Sequence, residues 1–340
     1  IHMKVLEKTG NRIRCKLLTE GVMGSRRHIN LPGVKVNLPP LTEKDLADVA
    51  VGAELGVDYV ALSFCREPND VLELRKVLRE HGSGARIIAK IEDQIAIRNI
   101  NDIIDTADAI MVARGDLGIE CPMEELPIIQ RKIVKRCIQK GTPVIVATHM
   151  LESMINSPVP TRAEITDVAN AVFEQADAIM LSGETTIGKY PVECVRVLDR
   201  VAQRIERSGG AGFASEPTLE NDRRKTVQAA VVLANSLPNS KLVVFTRRGV
   251  MPDYVSSMRP ASAPVYCFAP GFELARRITL NWGTFPFSMP FDANPLRTIS
   301  AAQELLVERG LASVGDHLII VSFIYAGEER IDTIQLRIVE

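Results

Sequence analysis

Short apolar segments recur along the first part of this 340-residue chain, and each one ends in polar or glycine-rich residues. Five of them alternate with amphipathic stretches at intervals of roughly 25–35 residues, the spacing of strand–helix units. Runs of Ile, Val and Ala without polar alternation are typical of parallel strands that are covered on both faces. The segments are Tyr59–Phe64, Ile87–Ile91, Ala109–Ala113, Pro143–Thr148 and Ala178–Leu181. They predict an α/β fold with a parallel sheet.

Polar side chains follow each predicted strand. Groups at the carboxyl ends of successive strands are typical of a (β/α)8 TIM barrel. A closed barrel needs eight strands, so five strands leave two alternatives: an open sheet, or three more strands upstream of residue 1. After the small, polar segment Gly209–Glu220, a second series of helices and strands predicts a separate C-terminal α/β domain.

Composition narrows the functional classes. The formal net charge of −1 gives no electrostatic case for binding nucleic acid or a membrane surface. No apolar run is long enough to span a bilayer. The six cysteines include no CxxC pair, which argues against a zinc site or a disulfide framework and for a reducing compartment, the cytoplasm.

One lysine and two carboxylates lie at neighbouring strand ends. Lys90 and Glu92 are two residues apart, so their side chains point to the same face, and Asp116 follows the next strand. Mg²⁺ prefers oxygen ligands and is often held by one or two carboxylates together with substrate oxygens. A buried lysine needs an anionic partner. We predict a site for a divalent cation and an anionic ligand; the alternatives are solvated strand caps and a plain Lys90 salt bridge.

Two neighbouring positions could contact the anionic ligand. Gly115 allows close backbone approach, and the N–H groups of Arg114, Gly115 and Asp116 can hold a carboxylate near a helix predicted to start at Pro122–Met123. The alternative is a tight turn that needs glycine. Thr148 ends an aliphatic strand, and its hydroxyl could equally be satisfied by backbone.

An ordered series of segments resembles the pyruvate kinase family. The segments are NLPG at Asn30, LTEKD around Thr42, YVALSF at Tyr59, IIAKIED at Ile87, MVARGDLG at Met111, PVIVATHMLESM at Pro143, PTRAEITDVANAV at Pro160 and DAIMLSGET at Asp177. The family consists of a barrel domain, a lid domain inserted after the third strand and a C-terminal α/β domain. The resemblance implies that residues 1–29 are the end of the lid, 30–212 the barrel with strands 4–8, and 213–340 the C-terminal domain.

The resemblance also implies a reaction: phosphoryl transfer from phosphoenolpyruvate to ADP, giving pyruvate and ATP in glycolysis. It implies a cytoplasmic homotetramer that uses Mg²⁺ or Mn²⁺, and K⁺ with ligands in an upstream part of the family's chain. Glu92 and Asp116 would bind the divalent ion, and Lys90 would stabilise the phosphoryl group and the enolate oxygen. Thr148 would stand beside the carbon that is protonated. The implied substrate-binding residues are Ala113, Arg114, Gly115, Asp116 and Thr148.

Further positions resemble family residues with secondary roles. Ser182 and Glu184 are expected to orient the site rather than to bind the metal. A loop that binds a sugar-phosphate activator in some members corresponds to Thr246, Arg247, Arg248 and Gly249. Here Val250 and Met251 replace the expected hydroxyl groups. His149 and Lys189 depart from the family pattern, and no role is assigned to them.

Two other functions stay open. One is a metal-dependent aldolase or lyase that holds a pyruvate enolate on a similar barrel; such enzymes lack the C-terminal domain and the lid remnant. The other is a non-catalytic regulatory or structural fragment. In the family, upstream strands carry an arginine that meets the phosphoryl group. We therefore expect the natural protein to be active and the 340-residue chain alone to be inactive.

Overall fold

The computed structural model describes residues 1–25, 29–31, 34, 39–326 and 329–340, with side chains described except at 323–330. The chain divides into two compact units, Ile1–Val34 and Lys35–Glu340. The proline-punctuated linker predicted from Asn30 to Leu41 lies partly outside the described residues. None of the described helices is long and apolar enough to cross a membrane.

The smaller unit contains an antiparallel hairpin of β1 (Met3–Thr9) and β2 (Arg12–Leu17). Gly10 has a φ of +57° in the turn, a left-handed conformation that glycine adopts without steric cost. The alternation of apolar and charged residues from Met3 to Thr19 by itself predicts a hairpin, and the pairing of the two strands confirms it. Its side chains are exposed on both faces, so the hairpin itself encloses no core.

Strands of the larger unit form two sheets. The strands are β3 (Tyr59–Leu62), β4 (Arg86–Ile91), β5 (Ala109–Ala113), β6 (Val144–Ala147), β7 (Ala178–Met180), β8 (Ser240–Phe245), β9 (Val265–Ala269), β10 (Thr284–Ser288), β11 (His317–Ala326) and β12 (Glu329–Ile338). The first sheet has the order β3-β4-β5-β6-β7, and every neighbouring pair is parallel. This confirms the predicted parallel sheet.

Helices follow the strands and cover the sheets. The helices are α1 (Glu43–Glu54), α2 (Pro68–Glu80), α3 (Gln94–Arg98), α4 (Ile100–Thr106), α5 (Arg114–Glu120), α6 (Leu126–Lys140), α7 (Arg162–Phe173), α8 (Gly183–Thr186), α9 (Pro191–Glu206), α10 (Asp222–Ser236), α11 (Val250–Ser257), α12 (Phe272–Ile278) and α13 (Pro295–Glu308). Sequence signals set several ends. Thr42 and Thr161 begin α1 and α7 with capping boxes, and Gly141 ends α6 at a φ of +78°.

The first sheet has two different faces. One face packs its strand residues against the helices in the main apolar core, as Ile87, Ile110 and Val144 do. The other face carries a smaller apolar cluster that includes Ile88 and Met111. Because strand side chains alternate, the positions that follow Ile88 on that second face are Lys90 and Glu92. The predicted polar site therefore lies on the face away from the covering helices.

The C-terminal domain has its own sheet in the order β10-β9-β8-β11-β12, in which β12 alone runs antiparallel to its neighbour. Two apolar clusters cover its two faces, one built around β8 and α10 and the other around β8 and α13. This arrangement confirms the predicted separate α/β domain. The last strand, predicted from Thr333, begins earlier, at Glu329.

The segments after β4 and β5 differ in detail from the sequence pattern. The pattern at Arg98–Asp105 predicts helix, and the structure has two short helices there, α3 and α4, which meet at Asn99. The turn predicted at Arg114–Asp116 is the first turn of a separate helix, α5, and the following helix starts at Leu126 instead of Met123. Cys121 interrupts the helical run with an extended backbone, as expected for a residue before proline.

Candidate active site

Lys90 and Glu92 form the centre of the site at the end of β4. The Lys90 ammonium lies 2.6 Å from Glu92 Oε1 and donates a hydrogen bond of 2.9 Å to Ser63 Oγ. The Glu92 side chain is 1% exposed, and its Oε2 accepts the backbone N–H of Phe64 at 2.5 Å. Glu92 Oε1 receives no well-aligned hydrogen bond from the described residues. A buried carboxylate oxygen with spare acceptor capacity fits the donor set of a divalent cation.

Asp116 lies in the first turn of α5, directly after β5, which pairs with β4. It is half-buried, and among the described residues no side chain forms an ion pair with it. No group of three or more His, Cys, Asp or Glu side chains in the described part of the chain could hold a metal ion by itself. Glu92 and Asp116 would therefore have to share the ion with ligand oxygens or water, which is the usual behaviour of Mg²⁺.

The Arg114 side chain is buried and turned towards the protein. Its guanidinium donates to the carbonyl oxygens of Ala147 and Thr148, the shortest contact being 2.6 Å from Nη2 to Thr148 O. Nη1 lies 2.7 Å from Asp167 Oδ1 and 3.3 Å from Gln130 Oε1. The arginine side chain thus contacts backbone and buried polar groups.

Thr148 joins the ends of β5 and β6. Its Oγ1 accepts the backbone N–H of Gly115 at 2.7 Å and donates to Ala147 O at 2.6 Å. The satisfied hydroxyl matches the backbone-bonding alternative for this residue. Thr148 and His149 have φ values of +70° and +56°, in the left-handed region that is costly for a β-branched residue. Strained backbone therefore follows β6 at the edge of the sheet where Glu92 and Asp116 lie.

Glu184 links the loops that follow β6 and β7. It is 3% exposed, and its two carboxylate oxygens accept the backbone N–H groups of Leu151 at 3.1 Å and Ser182 at 2.8 Å. Both oxygens thus bind backbone, the contacts that the predicted orienting role requires. His149 and Lys189 are exposed, and the nearest carboxylate to the His149 ring is Glu152 at 3.9 Å.

The Thr246–Gly249 loop follows β8 in the C-terminal domain. Thr246 is buried and its Oγ1 accepts the Gly249 N–H at 2.9 Å. The Arg247 guanidinium lies 5.1 Å from the centre of the Phe291 ring and lines a small cleft, and both Arg247 and Arg248 are exposed. Gly249 has a φ of +87°, and a Cβ there would collide with the Arg86 guanidinium. Activator binding at this loop stays a prediction.

Sequence reasoning missed two residues that contact Arg114. Asp167 and Gln130 lie within α7 and α6, at separations of 53 and 16 residues from Arg114. Both sit inside amphipathic helical patterns, where an isolated polar residue looks like part of a solvated face. Only the position of each helix on the sheet shows that these side chains point inward.

The fold and the candidate site together define a class: an α/β protein whose parallel sheet carries a lysine and two carboxylates at neighbouring strand ends. Comparison with known proteins narrows this class. A family model described as pyruvate kinase, barrel domain, matches residues 1–195, and one described as pyruvate kinase, alpha/beta domain, matches residues 224–336. The chain belongs to the pyruvate kinase family, a family of phosphotransferases.

Curated relatives agree with the family match. The chain is 40% identical over 333 residues to a pyruvate kinase of Geobacillus stearothermophilus, covering 96% of this chain and 57% of the relative. It is 40% identical over 324 residues to pyruvate kinase isozyme G, chloroplastic, of Ricinus communis, covering 94% and 77%. Plastidial pyruvate kinase 3 of Arabidopsis thaliana is 41% identical over 322 residues, covering 94% and 56%. The chain thus spans about half to three quarters of the length of these relatives. The matches favour the kinase over the lyase alternative.

Proposed function

We propose that this chain supplies Lys90, Glu92, Asp116 and Thr148 to a pyruvate kinase that transfers the phosphoryl group of phosphoenolpyruvate to ADP. The observation that carries the proposal is the buried Glu92 carboxylate, which has one oxygen without a well-aligned hydrogen bond and an ammonium group 2.6 Å away. In this reaction the bond between phosphorus and the enol oxygen breaks, and a bond between phosphorus and an ADP oxygen forms. The enolate left behind takes a proton at its methylene carbon and becomes pyruvate.

The residues have distinct roles in this proposal. Phosphoryl transfer depends mainly on positioning and on neutralising the negative charge that shifts between oxygens. Lys90, held by Ser63 and Glu92, would place a fixed positive charge beside the transferring group. Glu92 and Asp116 would hold Mg²⁺ or Mn²⁺, which when bound supplies further charge neutralisation at the ligand oxygens.

The substrate carboxylate would approach the backbone from Ala113 to Asp116. One N–H in this segment, that of Gly115, already has Thr148 Oγ1 as its acceptor. We therefore propose that Thr148 lies beside the methylene carbon of the bound enolate. At the same time its hydroxyl fixes the backbone at Gly115. Ser182 and Glu184 would act indirectly, through the loops that they hold.

Three broader predictions belong to this proposal. A homotetramer is supported by exposed apolar residues on α5 and α6, such as Ile119 and Ile128. A reducing compartment, which we propose to be the cytoplasm, agrees with six cysteines that are all free. K⁺ is proposed as a second cation, and no residue of this chain is assigned to it.

Binding measurements test the proposal with the full 340-residue chain. Mn²⁺ is titrated and followed by electron paramagnetic resonance, first alone and then with oxalate, a planar dianion that resembles the enolate of pyruvate. We expect Glu92→Gln and Asp116→Asn each to weaken Mn²⁺ binding at least about tenfold, or about 1.4 kcal/mol, because each removes a charged oxygen ligand. Oxalate should bind only when Mn²⁺ is bound.

Asp93→Asn is the matched control. Asp93 is adjacent to Glu92, but its carboxylate caps α3 by accepting the Ala96 N–H at 2.7 Å. This variant should bind Mn²⁺ like the unmodified chain. The proposal fails if Glu92→Gln leaves Mn²⁺ affinity unchanged, or if Asp93→Asn weakens it equally. A coupled assay for pyruvate then tests turnover, and near-normal turnover by the chain alone would contradict the predicted inactivity.

A further inference from the structure

A chain of buried polar contacts ends on the strained backbone of Thr148. The Arg114 guanidinium donates to the carbonyl oxygens of both Ala147 and Thr148, with two of these contacts made by Nε and one by Nη2. The planar guanidinium presents its donors in a fixed fork, so two carbonyl groups that share it are held in one relative orientation. Arg114 therefore contacts the very segment in which the backbone leaves the β conformation.

The conformation of Thr148 requires support from outside the residue. At a φ of +70°, a β-branched residue is in a strained conformation that persists only when its surroundings hold it there. Its hydroxyl is also fixed, because it accepts the Gly115 N–H from the neighbouring strand end. Relaxation of Thr148 to an extended conformation would break the contacts to Arg114 and Gly115 together.

Arg114 is itself held in place by two helices. Asp167 of α7 pairs with Nη1 at 2.7 Å, and Gln130 of α6 accepts from the same nitrogen at 3.3 Å. The Gln130 amide donates to the buried Glu174 carboxylate at 2.9 Å, which also accepts Arg131 Nε at 3.2 Å. Arg114, Gln130 and Glu174 are buried, and a buried polar network whose members all have partners is rigid and specifies one geometry.

From these contacts we infer that Arg114 is a positioning residue, held by Asp167 and Gln130, that keeps Thr148 in the left-handed conformation the site uses. The inference rests on the proposed function for Thr148 and adds a role for the arginine side chain. The Arg114 side chain acts through Thr148, while the Arg114 backbone belongs to the segment that the substrate carboxylate would approach. Substitutions in the network should move Thr148 and weaken the binding of an enolate-like anion while leaving the metal ligands intact.

Two measurements on the full chain test the inference. The first is the affinity for oxalate in the presence of saturating Mn²⁺, compared with the affinity for Mn²⁺ alone. The second is the methyl resonance of Thr148 in protein labelled with ¹³C at threonine methyl groups, assigned with Thr148→Ser. For Arg114→Lys we expect about a tenfold loss of oxalate affinity, Mn²⁺ affinity within about twofold, and a shifted Thr148 methyl resonance, because the lysine ammonium lacks the planar fork that holds the two carbonyl groups in one orientation.

Asp167→Asn provides a milder variant in case Arg114→Lys does not fold. The Asp167 side chain is 35% exposed, so the amide is tolerated there. The variant keeps the size of the side chain and removes its charge. We expect about a threefold loss of oxalate affinity and a methyl shift in the same direction as in Arg114→Lys.

Arg259→Lys is the matched control for burial. Arg259 also pairs with a buried aspartate, Asp177, and donates to backbone carbonyl groups, but it lies at the amino ends of the strands. It should lower stability without moving the Thr148 resonance. An unmoved Thr148 resonance in both Arg114→Lys and Asp167→Asn would overturn the inference. If oxalate does not bind even to the unmodified chain, the proposed function fails, and the methyl resonance still decides whether Arg114 positions Thr148.

Discussion

Acidic side chains lie at both ends of the strands in the first sheet. The two ends differ in whether the carboxylate oxygens accept hydrogen bonds from the protein itself. At the amino ends, aspartates directly precede β3, β5 and β7. Asp177 accepts Arg259 Nη2 at 2.9 Å and the backbone N–H groups of Val144 and Trp282 at 2.9 and 3.1 Å. Asp108 likewise accepts from Arg75 and from the backbone N–H of Ile87 in β4. These acids are satisfied within the fold.

At the carboxyl ends of the strands, carboxylate oxygens are left without full hydrogen bonding, and the backbone of several residues is strained. Glu92 has one oxygen whose nearest cation is Lys90, and Asp116 forms no ion pair with any described residue. Phe64, Thr148 and His149 follow β3 and β6 with positive φ values. Positive φ values also occur at the amino ends, but only at the carboxyl ends do they accompany acids with unused acceptor capacity among the described residues, and that combination points to a functional site. The amino ends therefore stabilise the fold, and the carboxyl ends hold groups that a ligand would complete.

The amino ends also join the two domains of the larger unit. Arg86, at the start of β4, pairs with Asp253 of α11 at 3.2 Å, and Asn281 donates to the same aspartate at 2.8 Å. Tyr59, at the start of β3, donates its hydroxyl to the carbonyl oxygen of Arg277 at 2.7 Å. Interactions between the domains thus lie at the edge of the sheet where no ligand is proposed.

The largest expected effect on stability belongs to Asp177→Ala. The substitution leaves the Arg259 side chain, 2% exposed, without its carboxylate and removes the acceptor of two backbone N–H groups. Breaking a buried ion pair in this way costs about 3–5 kcal/mol. Urea unfolding should show the loss, while Mn²⁺ affinity of the folded protein should not change.

Asp116→Ala is the counterpart at the other end. It should change the free energy of unfolding by less than about 0.5 kcal/mol, because no ion pair with a described residue is lost. Its Mn²⁺ binding should fall sharply. If Asp116→Ala lowered the free energy of unfolding more than Asp177→Ala does, the amino ends would not be the end of the sheet that stabilises the fold.

A smaller effect separates backbone strain from side-chain contacts at Thr148. Thr148→Ala removes the hydroxyl and keeps the Cβ at a φ of +70°, whereas Thr148→Gly removes both the hydroxyl and the steric strain. We expect Thr148→Gly to be about 1 kcal/mol more stable than Thr148→Ala in urea unfolding. Both variants should lose oxalate affinity, because both lack the hydroxyl that fixes the Gly115 N–H.

Gln175→Gly is the matched change at the amino ends. Gln175 has a φ of +62° in the turn before β7 and does not belong to the proposed site. The Gln175→Gly variant should have a free energy of unfolding about 0.5–1 kcal/mol higher than that of the unmodified chain, and its oxalate affinity should be unchanged. Equal stabilities of Thr148→Gly and Thr148→Ala would mean that Thr148 is not strained.

The sequence predicted the strands well because their physical cause is local. Continuous apolar runs bounded by polar residues define β4, β5 and β6 to within one or two residues. The polar groups that follow them were predicted for the same reason, since parallel strands bring their carboxyl ends to one edge. Lys90 and Glu92 could therefore be paired before any coordinates were known.

Two features could not be predicted, because they depend on distant contacts. Arg114 appears in the sequence as part of a candidate anion-binding loop, but its partner Asp167 is 53 residues away and turns its side chain inward. The positive φ of Thr148 has no local signal either, because threonine favours extended backbone. The acids that start strands had a signal that was overlooked: Asp58, Asp108 and Asp177 each directly precede an apolar run.

The smallest expected effect concerns an acid near the site that is fully satisfied. Burial would raise the pKa of Glu164, but hydrogen bonds from Ser153 and Thr161 outweigh it and hold the pKa below the ordinary 4.5. Because the folded-state pKa is the lower one, this stabilisation is complete above about pH 4.5 and is lost as the pH falls through the folded-state pKa. The Glu164 carboxylate accepts the N–H of Ser153, in the loop after β6, at 2.7 Å.

Glu164→Gln should therefore remove one part of the acid sensitivity of the protein. Between about pH 5 and pH 3, the free energy of unfolding should fall less steeply in this variant than in the unmodified chain, by less than about 1 kcal/mol over the range. Glu152→Gln, which makes the same change at an exposed side chain of the same loop, is the matched control. If the free energy of unfolding fell with pH equally steeply in Glu164→Gln and in the unmodified chain, the loop after β6 would not be held by a charged carboxylate. A flatter curve would show that a carboxylate near the carboxyl ends of the strands can be as fully satisfied as those at the amino ends.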